Sequence, residues 1–185
     1  MNDYRIRQHY AKALFLLASD LGQTDRVMED MICVEKVCHE NHMLVKVMGN
    51  PTIRMDRKVA VIDEIFAPHL SPTTMAFLHF VVRRKRAVNL RGIAMAYMQR
   101  YNDENGIVVT RVCTAAEMNG QLTDRIRRGV ERFTGRTAQM EYTTDDKMLG
   151  GFQLMFDTYL VDARLQTRID KLRRVFSRND YESKL

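Results

Sequence analysis

The chain has 185 residues, 45% hydrophobic and 28% charged, with a formal net charge of +6. That is an ordinary globular balance, and the length allows one domain or two small ones. The longest uncharged run, Phe66–Val82, is broken by Pro68 and Pro72 and falls short of the roughly 20 apolar residues of a membrane span, which excludes an integral membrane protein built on that segment.

Lys12 interrupts the only candidate apolar run near the N-terminus, so no signal peptide is expected, and Asp3 with few nearby serines speaks against a transit peptide. Three cysteines are not spaced as a disulfide framework, which fits a reducing, cytoplasmic compartment. A basic excess of this size is compatible with nucleic acid, an anionic membrane surface or an acidic protein partner, and equally with a solvated basic surface.

In chain order, Tyr4 to Leu21 predicts a helix. Tyr10, Leu14, Leu17 and Leu21 form one apolar stripe, Ala11, Phe15 and Ala18 widen it, and Ala13 adds a small position on another side. A surface that wide needs two packing partners, one of them the protein core. Gly22 ends the helix. Thr24 is the expected N-cap of a second helix, with Val27, Met31, Val34 and Cys38 on one face. A short helix over Met43–Met48 stops at Gly49-Asn50-Pro51. A fourth runs from Asp56 to Phe66 with Val59, Ile62 and Phe66. Ser71-Pro72, an N-cap followed by proline at the first helical position, opens a fifth. Its Met75, Leu78 and Val82 share a face, with Phe77, Phe80 and Arg84 beside it. A sixth carries Leu90, Ile93, Ala94, Tyr97 and Tyr101 and ends by Asn105-Gly106.

After Gly106 the period changes from helical to alternating. Ile107–Cys113 reads as a strand. Leu122, Ile126, Val130 and Phe133 mark a helix closed by Thr134-Gly135, where Gly135 is a left-handed stop. Ala138, Met140 and Tyr142 alternate as a second strand. The stretch Leu149–Phe176 has the clearest pattern. Paired glycines, Gly150-Gly151, precede a strand with Phe152, Leu154 and Phe156. A break at Asp157-Thr158 leads to a second strand at Tyr159–Val161, and Asp162 offers a side-chain oxygen where a helix could start. Leu165, Ile169, Leu172 and Phe176 then make one helical stripe, and the whole stretch reads as the folding nucleus of its domain. The fold class expected is an all-α N-terminal six-helix bundle over residues 1–105, followed by a small α+β domain over residues 106–185.

No constellation with catalytic chemistry is apparent. Cys33, Cys38, His39 and His42 do not match metal-ligand spacings, so neither a metal site nor a cofactor is expected. Gly129–Thr137 runs helix-to-strand, the reverse of a phosphate loop, and has Arg136 where lysine is needed. Asp145 and Asp146 lack a neighbouring nucleophile or histidine. Arg83-Arg84-Lys85-Arg86 is the sharpest charge run. Together with Arg125, Arg127, Arg128 and Arg132 it makes a basic nucleic-acid-binding module the alternative reading, against which no aromatics interleave with the run.

The order of Tyr10-Ala11-Lys12-Ala13-Leu14-Phe15 with Ala18, Asn50-Pro51, Lys58, Phe77–Arg86, Thr114-Ala115, Thr134-Gly135, Gly150-Gly151-Phe152 and Asp162 covers nearly the whole chain. In this order the chain resembles the δ subunit of the bacterial F-type ATP synthase, itself similar to the mitochondrial oligomycin-sensitivity-conferring protein. The resemblance departs at the hairpin, where Phe156-Asp157-Thr158 replaces a glycine-containing turn, and at Ala163, which Arg164 follows.

The resemblance implies a non-catalytic stator subunit, peripheral to the cytoplasmic face of the bacterial cell membrane. It implies that the N-terminal bundle holds the N-terminal helix of the α subunit in a groove between its first and fifth helices. On this sequence that groove involves Tyr10, Ala13, Leu14, Leu17, Phe77, Phe80 and Arg84. It implies further that the C-terminal domain binds the end of the b-subunit stalk, with Arg164, Arg168 and Lys171 as candidate contacts. Gly150, Gly151 and Asp162 are expected to be backbone devices, not ligands.

Overall fold

The computed structural model describes residues 3–116 and 118–177. Among them are eight α-helices and one four-stranded sheet, and every strand follows Gly106. The chain divides into two compact units, Met1–Asn105 and Gly106–Leu185. Residues 178–185 of the expected second domain lie outside the described residues.

The first unit contains α1 (Asp3–Asp20), α2 (Thr24–Glu40), α3 (His42–Gly49), α4 (Met55–Phe66), α5 (Pro72–Arg83), a 3-10 turn at Ala87–Asn89, and α6 (Leu90–Glu104). Its core draws Val27, Met31, Val34 and Cys38 from α2, Ile62 and Phe66 from α4, and Leu90, Ile93, Ala94 and Tyr97 from α6, as the apolar periods predict. The first helix departs from its expected stripe. Ile6, Ala11, Leu14 and Ala18 are buried, whereas Leu17 is 45% exposed and Leu21 52%. Two alanines on the buried line let α1 approach α6 closely. Gly92 of α6 extends that fit, since a Cβ there would stand 2.4 Å from Arg7 Cδ.

Local signals account for the ends of α5 and the stop after α1. Gly22 takes a φ of +63° just past α1. Ser71 caps α5, its Oγ accepting from Thr74 N at 3.4 Å, with Pro72 at the first position. Thr24 is not the cap of α2. Gln23 holds that position and no side chain bonds the first turn. α5 ends in a Schellman arrangement, with Lys85 N donating to Val82 O at 2.9 Å and Arg86 N to Val81 O at 3.1 Å. The left-handed position of that motif is occupied by Lys85, at a φ of +58°. A side chain there crowds its own backbone, which glycine avoids. Lys85→Gly is therefore expected to stabilise the first unit by about 0.5–1 kcal/mol, read as a higher midpoint in urea unfolding followed at 222 nm.

The second unit runs β1 (Ile107–Thr114), α7 (Gly120–Thr134), β2 (Thr137–Thr144), β3 (Phe152–Phe156), β4 (Tyr159–Asp162) and α8 (Leu165–Ser177). The sheet order is β2-β1-β3-β4. β1 and β2 are parallel, with Val108 opposite Ala138, and α7 makes the crossover. β3 is antiparallel to β1, with Thr110 opposite Phe156, and to β4. Gly135, at a φ of +68°, closes α7 in the left-handed conformation, donating its N–H to Glu131 O at 2.8 Å. Asp157 takes the left-handed slot of the β3–β4 turn at a φ of +47° and pairs with Arg136. Aspartate tolerates that region better than most side chains.

One face of the sheet is covered. Val108, Val112, Ala138, Leu154 and Phe156 meet Ile126 and Val130 of α7. Thr110 shares this buried face, and its hydroxyl has no hydrogen-bond partner. An unpaired buried hydroxyl costs about 1 kcal/mol or more. Thr110→Val, which keeps the β-branch, is expected to stabilise the second unit by about that amount, measured as slower hydrogen exchange of the β1 amides.

The last helix corrects the sequence reading. The stripe Leu165, Ile169, Leu172 and Phe176 forms on α8 as spaced, yet no residue of α8 is buried, and Phe176 is 81% exposed. Tyr159, Leu160 and Val161 of β4 are also exposed. The core of this unit is drawn from β1, β2, β3 and α7, and of the stretch Leu149–Phe176 only β3 supplies buried core residues.

Candidate functional site: an apolar groove between the first and fifth helices

The groove lies where α1 and α5 run past each other in opposite directions. At one end, Tyr10 of α1 meets Phe77 and Phe80 of α5, with ring centroids 6.4 and 6.1 Å apart. At the other, Thr73 of α5 donates to the Gln23 side chain just beyond α1, at 2.9 Å. Between them is an open cavity of about 340 Å³ lined by Tyr10, Ala13, Leu14, Leu17, Thr73, Ala76, Phe77 and Phe80. No charged residue lines it.

All six apolar residues expected from α1 and α5 converge here. Leu14 and Phe77 are buried and form the floor, Tyr10 is half-buried, and Ala13, Leu17 and Phe80 are open to solvent. Arg84, the seventh, does not line the cavity. Its guanidinium lies over the Phe80 ring, 5.2 Å from the centroid, at the Tyr10 end. Thr73 and Ala76 were missed. Their spacing to Phe80, i, i+3 and i+7, marks them as one face of α5, but small and polar residues carry no hydrophobic signal.

The α5 wall is held from below by a buried carboxylate that sequence reading also missed. Asp30 of α2 is 2% exposed. Its Oδ2 accepts from Ser71 N at 3.0 Å, Ser71 Oγ at 2.5 Å and Thr74 Oγ1 at 2.7 Å. Arg26 Nε approaches Oδ1 at 3.5 Å. A negative charge at the N-terminus of α5 is also favoured by the helix dipole.

The residues expected on the second unit are placed differently. Arg164 is not on α8, which starts one residue later. Its Nε and Nη2 donate to Asp162 at 3.0 and 2.7 Å. Arg168 and Lys171 are exposed on α8. Asp162 ends β4, three residues before α8 starts at Leu165. It accepts from Arg164 N at 3.0 Å and from Thr167 Oγ1 at 2.9 Å. The Arg164 hydrogen bonds hold its carboxyl well below the usual carboxylate range. Gly151 has a φ of +87°, and a Cβ on it would fall 2.3 Å from Ala163 O. Gly150 O accepts from Leu165 N at 3.0 Å, so the glycine pair lies directly against the chain entering α8.

Other candidate chemistry does not assemble. α2 ends at Glu40 and α3 begins at His42, so Cys38 and His42 are not on one helix. Burial, with Glu35 nearby, pushes the Cys38 thiol up to about 11. Of the arginines in the nucleic-acid reading, Arg127 approaches Asp124 at 4.0 Å and Arg128 Nε donates to Asp124 O at 3.2 Å, both within α7. No helix among the described residues is long and apolar enough to cross a membrane.

Comparison with known proteins gives the family by sequence and the fold by structure. The model of the ATP synthase delta (OSCP) subunit family matches residues 6–176. ATP synthase subunit delta of Chlorobium luteolum is 31% identical over 170 residues, 92% of this chain and 94% of the relative. The same subunit of Carboxydothermus hydrogenoformans is 28% identical, over 94% of this chain and 98% of the relative. Among solved structures, a chain of the Toxoplasma gondii mitochondrial ATP synthase hexamer matches with a TM-score of 0.69 at 19% identity, covering 92% of this chain and 97% of that one, which speaks to the fold. With its helical first unit, its four-stranded second unit and a family match over residues 6–176, this chain belongs to the ATP synthase delta (OSCP) subunit family, the non-catalytic peripheral-stalk subunit of the F-type enzyme.

Proposed function

We propose that the α1–α5 groove receives the N-terminal helix of the ATP synthase α subunit, and that the second unit takes the C-terminal end of the b subunit. The six helices of the first unit then act as one bundle capping the catalytic head. The chain joins that head to the stalk and resists rotor torque during proton-driven ATP synthesis, at the cytoplasmic face of a bacterial membrane. The observation that carries the first contact is the apolar cleft itself, with Leu17 45% and Phe80 47% exposed beside a buried floor. A few apolar anchors in such a cleft supply most of the energy of helix-in-groove docking. The second contact is supported by the uncovered apolar stripe of α8, flanked by Arg168 and Lys171. An uncovered stripe of this kind marks an interaction surface.

Holding torque is a matter of slow dissociation, not of chemistry, so the joint depends on the affinity at its two contacts. Titration calorimetry of the full chain with a peptide from the α-subunit N-terminus tests the first. Binding with a dissociation constant on the order of micromolar or tighter is expected, and no heat or groove-residue NMR shift at millimolar peptide would refute it.

A further inference from the structure

The groove is apolar inside but electrically unequal at its two ends. At the Tyr10 end, α5 finishes in Arg83 and Arg84, both exposed, and no carboxylate among the described residues pairs with either. Arg84 is held on the Phe80 ring with its guanidinium at the mouth of the cleft. On α1 the same end carries Asp3, Arg5 and Arg7, one negative and two positive charges, so it does not offset the α5 arginines. At the Leu17 end, the rim residue one turn on is Asp20, exposed and in no ion pair among the described residues. The α5 side of that end, Ser71 to Ala76, contains no charged residue.

Tyr10 and Asp20 are ten positions apart on α1, which is about 15 Å along a helix axis at 1.5 Å per residue. That separation exceeds the Debye length of about 8 Å at physiological salt. Each end therefore acts on whichever charge is next to it, and the two do not cancel. Full side-chain charges also outweigh the half-charge of a docked helix's own dipole.

Resting on the docking reading above, we infer that the groove selects a charge-polarised amphipathic helix, with acidic side chains against Arg84 and basic side chains against Asp20, on either side of an apolar stripe of about two turns. The arginine end fixes the register and orientation of the docked helix, while the apolar floor supplies the affinity.

The test uses the full chain and a designed amphipathic peptide of about five turns. The peptide carries a leucine stripe, two glutamates in one terminal turn, two lysines in the other, and a nitroxide beside the glutamates. Paramagnetic broadening is expected to be stronger at the amides of Phe80 and Arg84 than at Leu17. Arg84→Glu is expected to lower affinity about tenfold, and exchanging the peptide's glutamates for lysines restores it on that variant alone. Equal broadening at both ends, or unchanged affinity in Arg84→Glu, overturns the polarity while leaving the groove as the docking site. A peptide that shifts no groove residue at all overturns the docking reading, and the polarity with it.

Discussion

Ala13→Asp lowers the affinity of the full chain for an α-subunit N-terminal peptide by about thirtyfold or more, with the helical circular dichroism unchanged. Ala13 is exposed in the free chain and lines the apolar cleft. In the free protein a carboxylate there stays in water, and the loss of helix propensity relative to alanine is below about 1 kcal/mol. Once a helix docks, the same carboxylate is shut between apolar surfaces with no cation lining the cavity. Burying a polar group without a partner costs about 1–3 kcal/mol by protein mutational measures, and a charge more, so about 2 kcal/mol is a conservative figure. Ser19→Asp adds the same charge to the same helix on an exposed position outside the cleft and is expected to change affinity less than about threefold. Equal affinity of Ala13→Asp and the parent chain by calorimetry would remove the groove as the site.

Asp30→Ala is the most damaging single change expected in the first unit, at about 3–5 kcal/mol. Three donors lose their acceptor at once: the Ser71 amide and the Ser71 and Thr74 hydroxyls. Thr74 is fully buried, so water cannot replace the carboxylate. Arg26 loses its neighbour in the same step. The helix that loosens is α5, which supplies Thr73, Ala76, Phe77 and Phe80 to the groove, so peptide affinity falls along with stability. Asp30→Asn, which keeps one acceptor oxygen, is expected to lose roughly half as much. Urea unfolding followed at 222 nm reports mainly this unit, because it holds most of the helix. Midpoints of Asp30→Ala and the parent chain that coincide would show that the clamp contributes nothing.

The groove shows how far periodicity reaches. Tyr10, Leu14 and Leu17 are one stripe on paper, and Phe77 and Phe80 belong to another helix about sixty positions away. Sequence alone shows that each surface is apolar and that α1 has more apolar surface than one contact needs. It does not show which part of that surface the core takes. Ala11, Leu14 and Ala18 go inward because alanines permit the close approach to α6, and that pushes Leu17 outward to the cleft. Helical spacing places Arg84 beside Phe77 and Phe80, and only the resemblance assigns it to the groove. Its position on the Phe80 ring follows from their i, i+4 spacing at the end of α5.

Helix and strand order, the Ser71-Pro72 start, the Gly135 stop and the β3–β4 hairpin are written in short segments. Caps, glycine turns and periods of 3.6 or 2 act on neighbouring residues, so the sequence by itself determined them. Only the folded chain shows that Asp30 reaches Ser71 and Thr74 across more than forty positions, and that the stripe of α8 stays uncovered. The physical reason is the same in each case. A local pattern states what a surface needs, an acceptor, a counter-charge or an apolar cover, and only the folded chain shows which distant residue meets that need or leaves it for a partner.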